Sequence, residues 1–370
     1  MFNTSSIKEN INRIIYIEKS LLDHTESFYL KKHKNYNNFL WIKSSGWPIG
    51  YYKKLSKISG ISAFPEKSLN VWLQVLRNKG KGFKKRIGLF LRIPFMKKDK
   101  LGIGADFYFN KVNFGILIYC DDAIKRVVKF NQTNNLEHAR HKIGNEVESL
   151  KKANSIIHDV VYTPKLKSYY DKEDVIFFEQ ELILGKDLHR LSKDKVIKVY
   201  DDVFDFMYLY YTKCEIKAEP IINKDYLNNP IVEKHFCKLD NGEEILKKFR
   251  EILKRNKKML IGRIHGDLSL SNILIDRNNK VVILDWGESS EEYLSKDMKE
   301  HKRNTTYLYD KIVKENNFIK DELYNLSDQI FVGIFDEISK LLYNHYVNKV
   351  FDPYLNSKIH TKLRQFNTLA

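Results

Sequence analysis

The sequence predicts an α+β fold in which a strand-rich part precedes a mainly helical part. Between residues 105 and 130, apolar runs of strand length alternate with short polar turns. From Ser192 onward, apolar residues recur at the spacing of an amphipathic helix. A pattern of strand, polar loop, strand, turn and strand interrupts these helices between residues 259 and 287.

The strand-rich part begins with three expected strands. They run from Asp106 to Asn110, from Phe114 to Cys120 and from Lys125 to Phe130. The turn between the first two, Lys111–Asn113, lacks glycine. A further strand is expected from Asp174 to Leu184.

The later elements are expected to be mostly helices. A helix is expected to open at Gly144, with Glu146 and Glu148 near its start. Three apolar stripes at helical spacing predict core-facing helices further on. Their members are Ile197, Tyr200, Val203, Phe204 and Met207, then Ile245, Leu246, Phe249, Ile252 and Leu253, then Ile330, Ile334, Phe335, Ile338 and Leu342.

The composition is that of a globular chain, with 370 residues, 43% hydrophobic and 30% charged. No apolar run reaches the length of a membrane span, and Met1 to Lys8 lacks the features of a secretory signal. Cys120, Cys214 and Cys237 do not have the spacing of a metal or redox site. We therefore expect a cytoplasmic protein of two or three domains.

Positive charge is concentrated near the start of the sequence. Residues 1–100 contain 21 Lys and Arg against 6 Asp and Glu, whereas residues 101–370 contain 43 against 41. Residues 67–100 add an apolar helical pattern, which favours an anionic membrane surface as partner, at the inner face of the membrane. A helix that packs on the adjacent lobe with a solvated basic face is the alternative. Nucleic acid is the least favoured partner, because no nucleic-acid-binding motif accompanies the charge.

The strongest local signal is a predicted hairpin. Ile273–Ile275 and Val281–Leu284 are apolar runs of strand length, and residues 277–280 between them form a turn in which Asn tolerates positive φ. The flanks of this hairpin carry two carboxylates and an amide, at Asp267, Asn272 and Asp285. Oxygen ligands of this kind suit Mg²⁺.

These residues carry a family resemblance. His-Gly-Asp-x-x-x-x-Asn at 265–272, followed by Ile-Leu-Asp-Trp-Gly at 283–287, resembles the catalytic and metal-binding segments of the aminoglycoside phosphotransferase and choline kinase group. Protein kinases usually have Arg where this chain has Gly266, and they have an Ala-Pro-Glu segment that is absent after Asp285. The resemblance therefore implies a two-lobed protein-kinase-like fold of the small-molecule branch, with an antiparallel-sheet N-lobe and a mainly helical C-lobe.

The resemblance also implies a nucleotide site. Lys129 matches the strand lysine that contacts the α- and β-phosphates, and Glu146 matches its glutamate partner, with Glu148 as second choice. Glu181 lies where the family's backbone binds adenine between the lobes. For Lys129 and Glu146, the alternative is a surface lysine and a helix-start glutamate that favours the helix dipole.

ATP and Mg²⁺ are the cofactors that the resemblance implies. Asp267 would orient the acceptor hydroxyl and take its proton, and His265 would brace the loop. Asn272 and Asp285 would hold Mg²⁺ against the β- and γ-phosphates. Asp297 matches an aspartate with a structural role in the helical lobe.

The sequence thus predicts three domains, namely a basic, aromatic-containing region at 1–100, an N-lobe at 101–183 and a C-lobe at 184–370. The predicted function is ATP- and Mg²⁺-dependent phosphorylation of an alcohol group on a small molecule or glycan, such as a surface-polysaccharide or glycolipid intermediate. A protein kinase and a catalytically inactive nucleotide-binding scaffold are the alternatives.

Overall fold

The computed structural model describes most of the chain beyond residue 106 and short pieces before it. The described residues are 17, 38–42, 50–53, 99–100, 107–110, 114–119, 126–131, 136–172, 175–183, 185–188, 191–221, 224–298, 302–350 and 355–367. Residues 67–98 and the turn at Lys111–Asn113 lie outside them, so the membrane-surface prediction stays a prediction.

The chain divides into two compact units, each of which is described by itself. Unit 1 takes the described residues of Met1–Arg190 together with Leu270–Gly287, and unit 2 takes those of Leu191–Ser269 and Glu288–Ala370. The predicted hairpin at 273–284 therefore groups with the strand-rich unit, although 79 residues of unit 2 precede it in the chain.

The described strands, in chain order, are β1 (Asn38–Ile42), β2 (Gly50–Lys53), β3 (Asp99–Lys100), β4 (Phe107–Asn110), β5 (Phe114–Tyr119), β6 (Arg126–Asn131), β7 (Val161–Tyr162), β8 (Leu166–Lys172), β9 (Val175–Glu181), β10 (Gly185–Asp187), β11 (Lys217–Pro220), β12 (Lys258–Ile264), β13 (Ile273–Asp276), β14 (Val281–Ile283) and β15 (Ser290–Tyr293). The described α-helices are α1 (Leu136–Asn154), α2 (Lys193–Lys213), α3 (Pro230–Phe236), α4 (Gly242–Lys254), α5 (Lys302–Glu315), α6 (Leu326–Tyr346) and α7 (Leu355–Asn367).

The main sheet of unit 1 has the order β3-β1-β2-β4-β5-β6-β9-β8, and its neighbouring strands pair antiparallel. Strands β4, β5 and β6 confirm the three strands expected between residues 105 and 130, and each end lies within one residue of its prediction. Short turns of this kind favour antiparallel pairing. Val128 and Phe130 of β6 are fully buried, as are Ile176 and Phe178 of β9, and α1 packs against β8 and β9.

The start of α1 differs from the prediction. The helix begins at Leu136 rather than at Gly144, so Glu146 lies in its middle and not at its start. Gly144 lies inside the helix and does not end it, because a glycine within a helix costs only about 1 kcal/mol relative to alanine. The helix-dipole explanation for Glu146 is therefore wrong.

The second sheet of unit 1 has the order β10-β13-β14-β7 and contains the predicted hairpin. Strands β13 and β14 pair antiparallel, and Asn279 in the turn has φ 60° as its residue type permits. The Asp276 carboxylate accepts hydrogen bonds from the Asn278 and Lys280 amides at 2.8 Å each. The turn prediction is confirmed, and its geometry is fixed by one aspartate.

Unit 2 combines a small antiparallel sheet, β11-β12-β15, with helices α2 to α7. The predicted apolar stripes lie on α2, α4 and α6, and most of their members are buried. The Phe335 ring of α6 stacks on Phe249 with centroids 3.9 Å apart and contacts Phe236 at 4.8 Å. Leu253 is the exception in the second stripe, since it remains partly exposed. Among the described residues, no helix has the length and apolarity needed to cross a membrane.

Candidate active site

Lys129 and Glu146 form a buried ion pair within unit 1. Strand β6 carries Lys129 and helix α1 carries Glu146, and the Lys129 Nζ atom lies 2.5 Å from Glu146 Oε2. Burial by itself lowers the pKa of Lys129, but the negative charges of Glu146 and Asp285 outweigh this effect and raise the pKa. The ammonium group is therefore held in its charged form and in one position.

The neighbouring acid, Glu148, does not take this position. Its side chain is 52% exposed and forms an ion pair with Lys152 at 3.1 Å, one helical turn along α1. Of the two glutamates that the sequence offered, the structure brings Glu146 to Lys129.

Asp285 joins the same cluster. Its Oδ1 atom lies 3.3 Å from Lys129 Nζ, and its side chain is 43% exposed. The backbone of Asp285 has φ 57°, a left-handed conformation that non-glycine residues adopt mainly where the surrounding structure or a function requires it. The hairpin therefore ends by presenting a partly exposed carboxylate beside a buried lysine.

Gly287 leaves room for this cluster. A Cβ atom at Gly287 would lie 3.1 Å from both Glu146 Oε2 and Lys129 Nζ, and 3.4 Å from Asp285 Oδ1. These distances are tight for a carbon beside charged groups. Gly287 thus packs closely against one ammonium and two carboxylates, and the sequence analysis assigned it no role of its own. A glycine directly after the Asp-Trp pair is a signal for such a close approach.

Asn272 lies at the same end of the hairpin as Asp285. The Leu284 amide donates to the Asn272 carbonyl at 2.8 Å, directly beyond the pairing of Ile273 with Ile283. At the opposite end, the Tyr162 hydroxyl donates to the carboxylate of Asp276 in the turn at 2.9 Å. The hairpin is thus fixed at both ends, and Asn272 and Asp285 are held on the same edge.

The oxygen donors on this edge fit Mg²⁺. One carboxylate and one amide leave several coordination positions for water and phosphate, which is how Mg²⁺ is usually bound beside a nucleotide. The described residues contain no group of three or more His, Cys, Asp or Glu side chains that could enclose a metal.

His265 and Asp267 lie in the loop after β12, in unit 2. The Asp267 amide donates to His265 Nδ1 at 3.3 Å. His265 is fully buried. This contact joins the ring to the Asp267 backbone, and the bracing role of His265 stays a prediction.

Asp297 holds the same loop from the other side. Its Oδ2 atom accepts the His265 amide at 2.6 Å and the Tyr211 hydroxyl at 3.0 Å, and its Oδ1 atom accepts the Gly266 amide at 2.9 Å. Burial and the Asp297 carboxylate raise the pKa of Tyr211, so the hydroxyl stays protonated and donates. The sequence analysis missed Tyr211, because a tyrosine in an apolar helical stripe is indistinguishable from a core residue.

Gly266 is required by the backbone of this loop. Its φ is +88°, and a Cβ atom there would lie 2.3 Å from the Glu288 carbonyl oxygen. A side chain at this position is therefore excluded by both conformation and space.

Glu181 ends β9 and is not part of the Lys129 cluster. Its amide donates to the Lys165 carbonyl at 2.9 Å, and its Oε2 atom accepts the Lys165 amide at 3.4 Å.

Comparison with known proteins gives a family match over part of the chain. Residues 224–318 match the model of the RIO domain. A 105-residue segment is 48% identical to the RIO-type serine/threonine-protein kinase Rio2 of Methanocaldococcus jannaschii, which is 28% of this chain and 38% of that protein. The chain thus matches well under half the length of this curated relative.

Solved structures of aminoglycoside phosphotransferases are also similar. The ADP-bound form of APH(2'')-Ib shares 14% identity at a TM-score of 0.42, over 71% of this chain and 93% of that chain. A GDP complex of the 2'-phosphotransferase-IIIa shares 13% identity at a TM-score of 0.45, over 70% and 89%. The chain has a protein-kinase-like α+β fold, and the family model that matches it is that of the RIO domain rather than the aminoglycoside phosphotransferase and choline kinase group that the motif suggested.

Proposed function

We propose that this protein is an ATP- and Mg²⁺-dependent phosphotransferase that transfers the γ-phosphoryl group to an alcohol. The observation that carries the proposal is the buried Lys129 ammonium, paired with Glu146 at 2.5 Å and placed 3.3 Å from Asp285. A charged lysine beside a partly exposed carboxylate suits a phosphate chain and its metal ion.

Lys129 binds the phosphates of the nucleotide in this proposal. Glu146 is its main partner and holds the ammonium extended, so that little reorganisation is needed when phosphate arrives. Asn272 and Asp285 hold Mg²⁺ from the edge of the hairpin. When bound, Mg²⁺ neutralises charge on the phosphates and fixes their orientation.

Asp267 acts on the acceptor. Its carboxylate accepts a hydrogen bond from the acceptor hydroxyl, orients the oxygen toward phosphorus and receives the proton as the new P–O bond forms and ADP leaves. Asp297, His265 and Tyr211 hold the backbone of the loop that carries Asp267. Asp267 precedes Asn272 by five residues in the His-Gly-Asp-x-x-x-x-Asn motif.

The acceptor we propose is an alcohol on a small molecule or glycan, including a surface-polysaccharide or glycolipid intermediate. The 48% identity to a protein named as a serine/threonine-protein kinase favours a second candidate, the hydroxyl group of a protein side chain. An inactive nucleotide-binding scaffold is disfavoured, because Asp267, Asn272 and Asp285 are all present.

A labelled-ATP screen tests the proposal. The purified chain is incubated with Mg²⁺ and γ-labelled ATP in three arms, which contain small alcohols, glycans and glycolipids, and protein substrates. Asp267→Asn serves as the negative control and Asp310→Asn, an exposed aspartate of α5, as the matched control. Label in one arm that depends on Mg²⁺ and on Asp267 identifies the acceptor class. No label in any arm, with nucleotide bound, contradicts the proposed transfer.

A further inference from the structure

A closed ring of four charged side chains lies in unit 2, next to the residue that holds the catalytic loop. Lys224 Nζ contacts Glu292 Oε2 at 2.7 Å and Asp336 Oδ1 at 3.0 Å. Lys296 Nζ contacts the same two acids, at 3.2 Å from Glu292 Oε2 and 2.6 Å from Asp336 Oδ2. Each lysine therefore bridges both acids, and the ring is neutral.

We propose that this ring positions the catalytic loop through Asp297, with Lys296 and Asp336 as its positioning residues. The inference rests on the proposed function, since it assigns a role in placing Asp267 for phosphoryl transfer.

The ring is placed where charge is costly. The Asp336 side chain is 0% exposed, and that of Lys296 is nearly buried. Burial tends to raise the pKa of Asp336, but the charges of Lys296 and Lys224 lower it further, so the carboxylate stays ionised. The Tyr293 ring lies beneath both ammonium groups, 4.9 Å from Lys224 and 5.9 Å from Lys296. Buried ion pairs of this kind add little net stability over apolar side chains. A buried ion pair instead favours one side-chain geometry over the alternatives.

The ring fastens a short segment to helix α6. Lys296 is the last residue of a 3₁₀ helix, Leu294–Lys296, and Asp336 lies on α6. Gly333, three residues before Asp336, faces the same segment, because a Cβ atom there would lie 2.8 Å from Ser295 Oγ. Close backbone packing and an ion pair, one helical turn apart, therefore fix the 3₁₀ helix on α6.

Asp297 follows this segment directly. It caps the 3₁₀ helix, with its amide donating to the Leu294 carbonyl at 3.1 Å. Its carboxylate holds the amides of His265 and Gly266, the two residues before Asp267. A displacement of the 3₁₀ helix would therefore move the Asp297 carboxylate and release the loop that carries Asp267.

A charge-balanced double variant tests the ring. Lys296→Met with Asp336→Leu removes one cation and one anion and leaves Lys224 paired with Glu292. Arg255→Met with Asp328→Leu is the matched control, because this pair also joins a cation to an aspartate of α6, at 2.5 Å, away from Asp297. The single variant Asp336→Glu keeps the carboxylate and is expected to retain most of the wild-type behaviour.

Residue-resolved amide hydrogen exchange is the first readout, since it does not depend on activity. We expect the His265 and Gly266 amides to exchange at least about tenfold faster in the Lys296–Asp336 double variant, and not in the control. The Leu260 amide, which donates to Gln329 Oε1 of α6 at 3.1 Å, is the internal reference and is expected to stay unchanged. Unchanged exchange at His265 and Gly266 overturns the proposal. Equal acceleration at Leu260 also overturns it, because the ring would then only stabilise the unit.

The second readout is catalysis. We expect the Lys296–Asp336 double variant to lose about 100-fold in kcat with the KM for ATP within twofold, since a misplaced catalytic group lowers the rate without weakening nucleotide binding. A kcat within threefold of wild type, despite selective exchange at the loop, overturns the catalytic part of the inference. Absence of activity in the unmodified chain contradicts the proposed function alone, and exchange still decides whether the ring holds the loop.

Discussion

Replacing Gly287 with alanine tests whether the Lys129 cluster binds nucleotide. The added methyl group would lie 3.1 Å from Glu146 Oε2 and Lys129 Nζ, and 3.4 Å from Asp285 Oδ1. These groups must move by a few tenths of an ångström, because 3.1 Å is shorter than an ordinary contact of a methyl carbon. Overpacking of this kind costs about 1–3 kcal/mol, which is roughly 5- to 150-fold in an equilibrium constant.

The assay for Gly287→Ala is calorimetric titration with ATP and Mg²⁺, together with thermal unfolding. We expect the Kd for ATP to rise by roughly 5- to 150-fold while unit 1 stays folded. Gly144→Ala is the matched control on α1, where a side chain meets nothing within 4 Å. It should leave nucleotide affinity unchanged and stabilise the helix by roughly 0.5–1 kcal/mol. Nucleotide affinity of Gly287→Ala within twofold of wild type would refute the placement of the phosphates beside this glycine.

Three further perturbations separate the roles of individual groups. Glu146→Ala should weaken ATP binding severely, because Lys129 loses its partner at 2.5 Å. Glu148→Ala should have a mild effect on ATP binding, because Glu148 pairs with Lys152 instead. The opposite ranking of ATP affinities, measured by titration, would mean that Glu148 is the partner of Lys129 in solution. Asp285→Ala should abolish the Mg²⁺ dependence of ATP binding, and a preserved Mg²⁺ effect would exclude Asp285 as a ligand. Residues 67–100 carry an excess of ten positive charges, each worth about 1 kcal/mol near anionic lipid. The protein should therefore cosediment with anionic vesicles but not with neutral ones at low salt. Equal binding to both kinds of vesicle would mean that the charge serves only solubility.

Local patterns predicted much of the fold. The strands between residues 105 and 130 and the hairpin turn at Asn279 follow from alternating apolar runs and from turn chemistry, both of which are properties of neighbouring residues. The start of α1 was misplaced because a glycine was taken as a boundary, although a glycine inside a helix costs only about 1 kcal/mol.

The candidate site was predictable only where it carried a motif. The pairing of Lys129 with Glu146 was implied by the family resemblance, and the grouping of Asn272 with Asp285 was expected from the predicted hairpin. Tyr211 and the charged ring at Asp336 were not predicted. The Tyr211 partner, Asp297, is 86 residues away, and the Asp336 partners, Lys296 and Lys224, are 40 or more residues away. No local pattern distinguishes these residues from core or surface residues. Pairing across such separations is set by tertiary packing.

The central claim is that Asp267 activates a hydroxyl acceptor for attack on Mg²⁺-bound ATP. The most direct measurement compares γ-phosphoryl transfer by Asp267→Asn and by the unmodified chain at saturating ATP and Mg²⁺, with nucleotide affinity determined on the same samples. We predict nucleotide affinity within twofold of wild type and transfer reduced by a factor of about a hundred or more, because the variant can neither take the proton nor orient the hydroxyl in the same way. Transfer by Asp267→Asn within tenfold of wild type would contradict the assignment of Asp267 as the base.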